Sequence, residues 1–92
     1  MEKSTIRRKI ISLLKEIFED EKNLDLIPNS LSIDDKIQML TSESMLALIV
    51  VTSIEDEFEI EFEDDEIDVN FFSGLNSIVE VTERYIKQAQ YD

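Results

Sequence analysis

Apolar residues recur at helical spacing near the start of the chain. They share one side of a helix, while lysines, glutamates and a serine fill the other side. Ser4 and Thr5 are residue types that commonly cap a helix start. The pattern predicts a first helix that ends near Asp20. Its apolar positions are Ile6, Ile10, Leu13, Leu14 and Ile17, with Phe18 at the edge of the stripe.

A long connection, residues 21–40, follows this helix and holds the only proline of the chain. Leucines and isoleucines are scattered through it without a regular period. We interpret it as a loop pinned to the core, and long loops in small domains are often functional.

The most apolar segment, MLALIVVTSIEDEF, occupies residues 45–58. Its first half alone could be a buried strand. However, Ala47, Val51, Ile54 and Phe58 are spaced as on a helix of about four turns. The spacing predicts a helix from about Glu43 to Glu57.

This second helix has two different faces. The predicted core face holds Ala47, Val50, Val51, Ile54 and Phe58. The opposite face holds Met45, Leu48, Ile49, Thr52, Glu55 and Asp56. Exposed apolar residues beside a polar rim are typical of a docking surface. The alternative is that the connection folds over Met45, Leu48 and Ile49 and buries them, and the pattern alone favours neither.

Alternating apolar and acidic residues at 58–68 indicate an extended piece that leads to a short helix. A last helix is predicted from near Ser73, with one face formed by Leu75, Ile78, Val79, Thr82, Ile86 and Ala89. We therefore expect an all-α fold, a small four-helix bundle in a single domain over residues 1–92. It would have three longer helices, one short helix and a long loop between helices I and II.

The charge balance narrows the choice of partners. Nine Lys and Arg face twenty-two Asp and Glu, a net charge of -13, with no basic residue between Lys36 and Arg84. Such a surface repels nucleic acid and anionic bilayers, so we expect binding to neither. The expected partner is a protein with a basic patch, although the charge could serve solubility alone.

Several kinds of chemistry are excluded by composition. The chain has no Cys and no His, which removes thiol nucleophiles, the usual zinc sites and His-based catalysis. A calcium loop starting at Asp64 fails, because Val69 and Leu75 stand at its glycine and glutamate positions. We expect no enzyme and no specific metal site. The charged N-terminus does not resemble a signal peptide or a membrane span, so a cytoplasmic location is expected. We also expect a monomer.

The run LTSESMLALIVVTSIEDEFEIEF, residues 40–62, resembles the central part of an acyl carrier protein. In that family a serine opens helix II, and the phenylalanine of an acidic segment follows fourteen residues later, as Phe58 follows Ser44 here. The segments 34–40 and 70–86 extend the similarity over essentially the whole chain. Glu43 and Met45 depart from the family's Asp-Ser-Leu motif, so we expect Thr41 or Ser42 to cap the helix.

The resemblance implies a carrier of acyl intermediates for fatty acid, polyketide or related synthesis. Ser44 would be the attachment point for 4'-phosphopantetheine, which a phosphopantetheinyl transferase transfers from coenzyme A. Acyl-processing enzymes with basic patches would be the other partners. Expected partner-binding residues are Glu43, Met45, Leu48, Ile49, Thr52, Glu55 and Asp56, and Leu46 is expected at the surface with Ile49. The alternative is an unmodified acidic carrier-like module that only binds another protein.

Overall fold

Four α-helices and four short 3-10 turns form the chain in the computed structural model, which describes residues 1–23 and 26–90. No strand occurs within these ranges, so the predicted all-α class is confirmed. The α-helices are α1 (Lys3–Glu19), α2 (Ile33–Met39), α3 (Ser44–Phe58) and α4 (Leu75–Gln90). The 3-10 turns are Glu21–Asn23, Leu40–Ser42, Asp64–Glu66 and Phe71–Ser73.

Helix α1 buries the apolar stripe that its sequence predicts. Ile6, Ile10 and Leu14 are fully buried, and Phe18, expected at the edge, is only 1% exposed. The expected capping is wrong, because α1 already begins at Lys3 after the extended residue Glu2. Ser4 and Thr5 therefore lie inside the first turn.

Helix α2 lies inside the connection that the sequence analysis treated as a loop. Ser32 caps it, since its Oγ accepts a hydrogen bond from the Asp35 N–H at 3.2 Å. Asp34 and Asp35 in its first turn complement the helix dipole. Seven residues are too few for a clear apolar period, which explains why the pattern missed it. The expectation that the leucines and isoleucines of this connection pin it to the core is confirmed by buried Ile27, Ile37 and Leu40. It is wrong for Leu26, which is 42% exposed, and Leu24 lies outside the described residues.

Helix α3 has bounds within one residue of the prediction. Its core face is confirmed for Ala47, Val50, Val51 and Ile54, while Phe58 is partly buried against the core. The helix ends at Glu59, which takes the left-handed conformation with φ 55°. Its N–H donates to the Glu55 carbonyl oxygen, a common way for a helix to stop.

The acidic segment after α3 has no regular secondary structure over 60–63, with extended dihedrals at Glu63, and then forms 3-10 turns where a short helix was predicted. Its aromatic residue Phe62 is buried and packs edge-on against Phe71 and Tyr85, with ring centroids 5.4 Å and 5.1 Å away. One inward residue thus anchors an otherwise charged stretch to the core.

Helix α4 starts two residues later than predicted, and a distant side chain caps it. The Leu75 N–H donates to Asp34 Oδ1 at 2.9 Å, across 41 positions in sequence. The buried face is confirmed for Leu75, Ile78, Val79, Thr82 and Ile86. Ala89 is exposed, so its assignment to that face is wrong.

The helices pack around one core, with α1 in contact with both α3 and α4. The Cα radius of gyration is 12.7 Å. Within the described residues, no single helix has the length and apolar character to cross a membrane. The pair Ile33–Ser42 and Ser44–Phe58, bent by 119°, meets the length and composition test only when taken together.

Candidate functional site

Ser44 is the first residue of α3, and its side chain is exposed. The turn Leu40–Ser42 leads the chain up to the helix, and Glu43 joins the two with φ -125° and ψ 75°. The Glu43 carbonyl oxygen accepts a hydrogen bond from the Ala47 N–H at 2.9 Å, which begins the helical ladder. The Ser44 hydroxyl therefore stands at the N-terminal end of α3, not along its side.

The start of α3 lacks a side-chain cap. Glu43, in the capping position, makes no capping hydrogen bond with its side chain. The expectation that Thr41 or Ser42 would cap is wrong, because the Glu43 residue holds that position and Thr41 Oγ1 instead donates to the Gln38 carbonyl oxygen at 2.9 Å. The first N–H groups of an α-helix have no partner within the helix. They and the helix dipole favour an anion held near Ser44.

Three large apolar side chains are exposed on the first two turns of α3. Met45 is 81% exposed, Leu48 63% and Ile49 44%. The described parts of the connection, residues 21–23 and 26–40, leave them exposed. Of the two alternatives left open by the pattern, exposure is therefore the correct one.

Ser44 lines a groove with a volume of about 760 Å³. One wall is formed by α3, with exposed Leu48 and the largely buried Ala47 and Val51. The other wall comes from the segment after α3 and includes Ile60, Phe62, Ile67, Val69 and Phe72. A groove with apolar walls thus lies directly beside an exposed hydroxyl.

The three exposed apolar residues lie on one face of α3, between two grooves. At 100° per residue, Met45 lies between Leu48 and Ile49, which are about 100° apart around the helix. Leu48 lines the groove beside Ser44, whereas Ile49 lines a smaller groove with Leu13 and Ile17 of α1. A partner that contacts all three would therefore lie across this face, from one groove to the other.

The polar residues of the predicted docking face have different environments. Asp56 is exposed and Glu43 is half-buried. The Thr52 hydroxyl donates to the Leu48 carbonyl oxygen at 2.9 Å, so its bond is satisfied within the helix. Glu55 is half-buried, and its Oε2 accepts a hydrogen bond from the Phe62 N–H at 2.8 Å. Glu55 therefore holds the segment after α3 in place.

Leu46 does not belong to the surface. It is 2% exposed and part of the core, so its expected surface position is wrong. At 100° per residue, Leu46 lies beside Val50 on the helix, one turn before it, and so shares the buried side of α3. Ile49 keeps the surface position that was expected of it.

The far wall of the groove was not identified from the sequence. Ile67 and Val69 lie in the acidic segment, and Val69 is 73% exposed. The only signal was the presence of apolar residues at alternate positions within an acidic run. That pattern predicts extended chain, but it does not predict which helix the chain packs against.

Charged groups away from Ser44 form surface pairs. Lys3 Nζ lies 2.8 Å from Glu80 Oε1, and this hydrogen bond raises the pKa of Lys3 and lowers the pKa of Glu80. Arg84 lies 2.6 Å from Glu66. Within residues 1–23 and 26–90, no three acidic side chains are grouped closely enough to hold a metal ion.

Comparisons of the chain with family models, with curated proteins and with solved structures find no match.

Proposed function

We propose that this protein is an acyl carrier protein and that Ser44 carries its 4'-phosphopantetheine arm. The observation that carries the proposal is the exposed Ser44 hydroxyl at the uncapped start of α3, beside an apolar groove. The arm would bear acyl intermediates as thioesters for fatty acid, polyketide or related synthesis.

The local chemistry supports attachment at Ser44. In the transfer step, Ser44 Oγ forms a phosphoester bond with the phosphopantetheine phosphorus of coenzyme A, and the adenosine bisphosphate part leaves. The proton of the hydroxyl passes to a base of the Mg-dependent transferase. The attached phosphate would lie where N–H groups without partners and the positive end of the helix dipole stabilise an anion. No Cys is required in the chain, because the arm brings its own thiol.

The exposed residues around Ser44 support a role in docking. Met45 and Leu48 offer apolar contact area next to the attachment point, and Asp56 adds negative charge farther along α3. Apolar contacts would stabilise a bound enzyme, while acidic residues attract its basic patch and raise the encounter rate. Glu43, Ile49, Thr52 and Glu55 complete the proposed partner-binding set.

The proposal includes the architecture of a four-helix carrier bundle. The longer helices α1, α3 and α4 would be its three main helices, and the turns between Asp64 and Ser73 would occupy the place of its short helix. The connection between α1 and α3 would be its long loop, here with α2 inside it. The protein would act as a cytoplasmic monomer, without membrane or nucleic-acid partners.

The proposal is tested by intact-mass measurement after incubation with coenzyme A, Mg²⁺ and a broad-specificity phosphopantetheinyl transferase. We expect an increase by the mass of one phosphopantetheine group. An unchanged mass, also with the transferase from the same cell, would favour the alternative of an unmodified acidic interaction module. That alternative is based on the motif, in which Glu43 and Met45 replace the Asp and Leu of the family's Asp-Ser-Leu.

A further inference from the structure

The polarity of the groove beside Ser44 changes along its length. Ser44, Leu48, Val51 and Glu55 follow one another at helical spacing and all line the groove. With a rise of 1.5 Å per residue, Glu55 lies about 16 Å from Ser44 along the α3 axis. The α3 wall of the groove is therefore apolar for the first two turns after Ser44 and acidic at its far end, and the opposite wall adds the carboxylate of Asp68 beside Ile67 and Val69.

Carboxylates from both walls lie at the far end of the groove. Because Glu55 bonds to the Phe62 N–H, the neighbouring residues Glu61 and Asp64 lie at the same end as Asp56. None of the residues that line the groove is basic. Asp56, Glu61 and Asp64 make no ion pair with any described residue, whereas Glu66 nearby is paired with Arg84.

We propose that the cargo beside Ser44 is an acyl group with an apolar body and a positively charged end, as in an amino-alkanoyl group; this inference rests on the proposed function. The apolar walls favour the body of such a cargo, since apolar surface is removed from water. Three unpaired carboxylates at the end of a concave surface favour an ammonium group there and repel a carboxylate. The groove thus selects cargo by its end group.

The test compares three cargoes of equal chain length on the holo protein, ending in a methyl, an ammonium or a carboxylate group. The transferase installs each from its coenzyme A thioester, and intact mass confirms loading. The ammonium-ended cargo is expected to give the highest melting temperature, by about 4 °C over the methyl-ended one. The carboxylate-ended cargo is expected to give the lowest. Equal melting temperatures for the ammonium and methyl ends, or a preference for the carboxylate, would overturn the proposal.

A matched pair of variants separates the groove from overall charge. Asp56→Asn with Glu61→Gln and Asp64→Asn removes three charges at the far end. Glu2→Gln with Glu16→Gln and Glu19→Gln removes three exposed charges of the α1 region, none of which lines the groove. Only the first set is expected to abolish the ammonium preference. Loss of the preference in both sets would assign it to net charge and contradict the proposal.

A second route tests the groove without the transferase. The chain has no Cys, so Ser44→Cys provides one thiol that displaces methanesulfinate from alkyl, aminoalkyl and carboxyalkyl methanethiosulfonates of equal length. The same order of melting temperatures is expected. If wild-type Ser44 is never modified while this order appears, the proposed function fails and the groove preference stands. If Ser44 is modified and the order is absent, only the cargo inference fails.

Discussion

Glu55 shows how one residue can serve the fold where the sequence indicated only a surface role. Its helical phase placed it on the exposed face of α3, and its charge suggested steering of a basic partner. In the structure its carboxylate is half-buried and accepts the Phe62 N–H at 2.8 Å. That bond fixes the wall of the groove opposite α3, so Glu55 positions the groove.

Removal of the Glu55 carboxylate is expected to lower stability. Glu55→Ala leaves the Phe62 N–H without its partner, and the free energy of unfolding should fall by about 1–3 kcal/mol. Glu55→Gln keeps an acceptor and should lose clearly less. Asp56→Ala, at the next and exposed position, is the control and should change the free energy by less than about 0.5 kcal/mol. Urea unfolding measures all three, and equal losses for Glu55→Ala and Asp56→Ala would contradict this role.

Asp56 is better suited than Glu55 to a test of electrostatic steering, because its side chain makes no hydrogen bond to the described backbone. Asp56→Lys should slow association with a partner enzyme and flatten the dependence of its rate on salt, since rim charges act mainly on encounter. Dissociation should change little. Stopped-flow or surface-based kinetics at several salt concentrations measures both rates. An unchanged association rate would remove Asp56 from the docking face.

At the scale of the helices, α3 exposes one apolar face that lies between two grooves. Leu48 lines the groove beside Ser44, while Ile49 lines the smaller groove with Leu13 and Ile17 of α1. Ile49→Glu should leave the fold intact, because Ile49 is 44% exposed. If the partner covers the whole face, the variant should dissociate faster with little change in association, since apolar contacts act on the bound state. Normal dissociation would restrict the docking site to the Met45 and Leu48 side.

Long helices with regular apolar stripes were predictable, and contacts between distant segments were not. Ile6, Ile10, Leu14 and Phe18 recur about once per turn, so their period identifies α1 without any knowledge of the fold. Helix α2 has seven residues and one fully buried side chain, Ile37, which is too little for a period. The cap of α4 by Asp34 depends on a contact across 41 positions, and no local pattern contains it.

The same limit applies to the candidate site. Helical phase placed Met45, Leu48 and Ile49 on the side of α3 away from the core, but it left open whether the connection covers them, and Ser44 was identified through the resemblance. The groove could not be predicted, because its second wall comes from a segment whose direction after Glu59 is set by tertiary contacts. The resemblance, not the helical phase, placed Leu46 at the surface; the phase sets it beside Val50, on the buried side of α3.

For the whole molecule, the unequal distribution of charge affects stability. The segment 59–68 carries seven acidic residues, and Arg84 is the basic residue paired with it in the described part of the chain. Repulsion among like charges lowers stability at low salt. Millimolar Mg²⁺ at constant pH should therefore raise the melting temperature, and a matched amount of NaCl should raise it less. Equal melting temperatures in the two salts would show that Mg²⁺ acts by general ionic screening and not by binding to the segment.

The pH must be held constant in that measurement because of the Lys3–Glu80 pair. The hydrogen bond from Lys3 lowers the pKa of Glu80 in the folded protein. The stabilisation from this pair is therefore complete above the unfolded pKa of Glu80 and is lost as the pH falls through the folded pKa. An acidic buffer would thus weaken this pair while it relieves repulsion elsewhere.

The central claim, that Ser44 alone takes the phosphopantetheine arm, is tested most directly by peptide-level mass mapping after transferase treatment. Wild type, Ser44→Ala and Ser42→Ala are compared, and Ser42→Ala is the control because Ser42 lies two residues away and is equally exposed. We predict one phosphopantetheine group on the peptide that holds Ser44 in wild type and Ser42→Ala, and none in Ser44→Ala. A modification that persists in Ser44→Ala, or that maps to Ser42, would contradict the account.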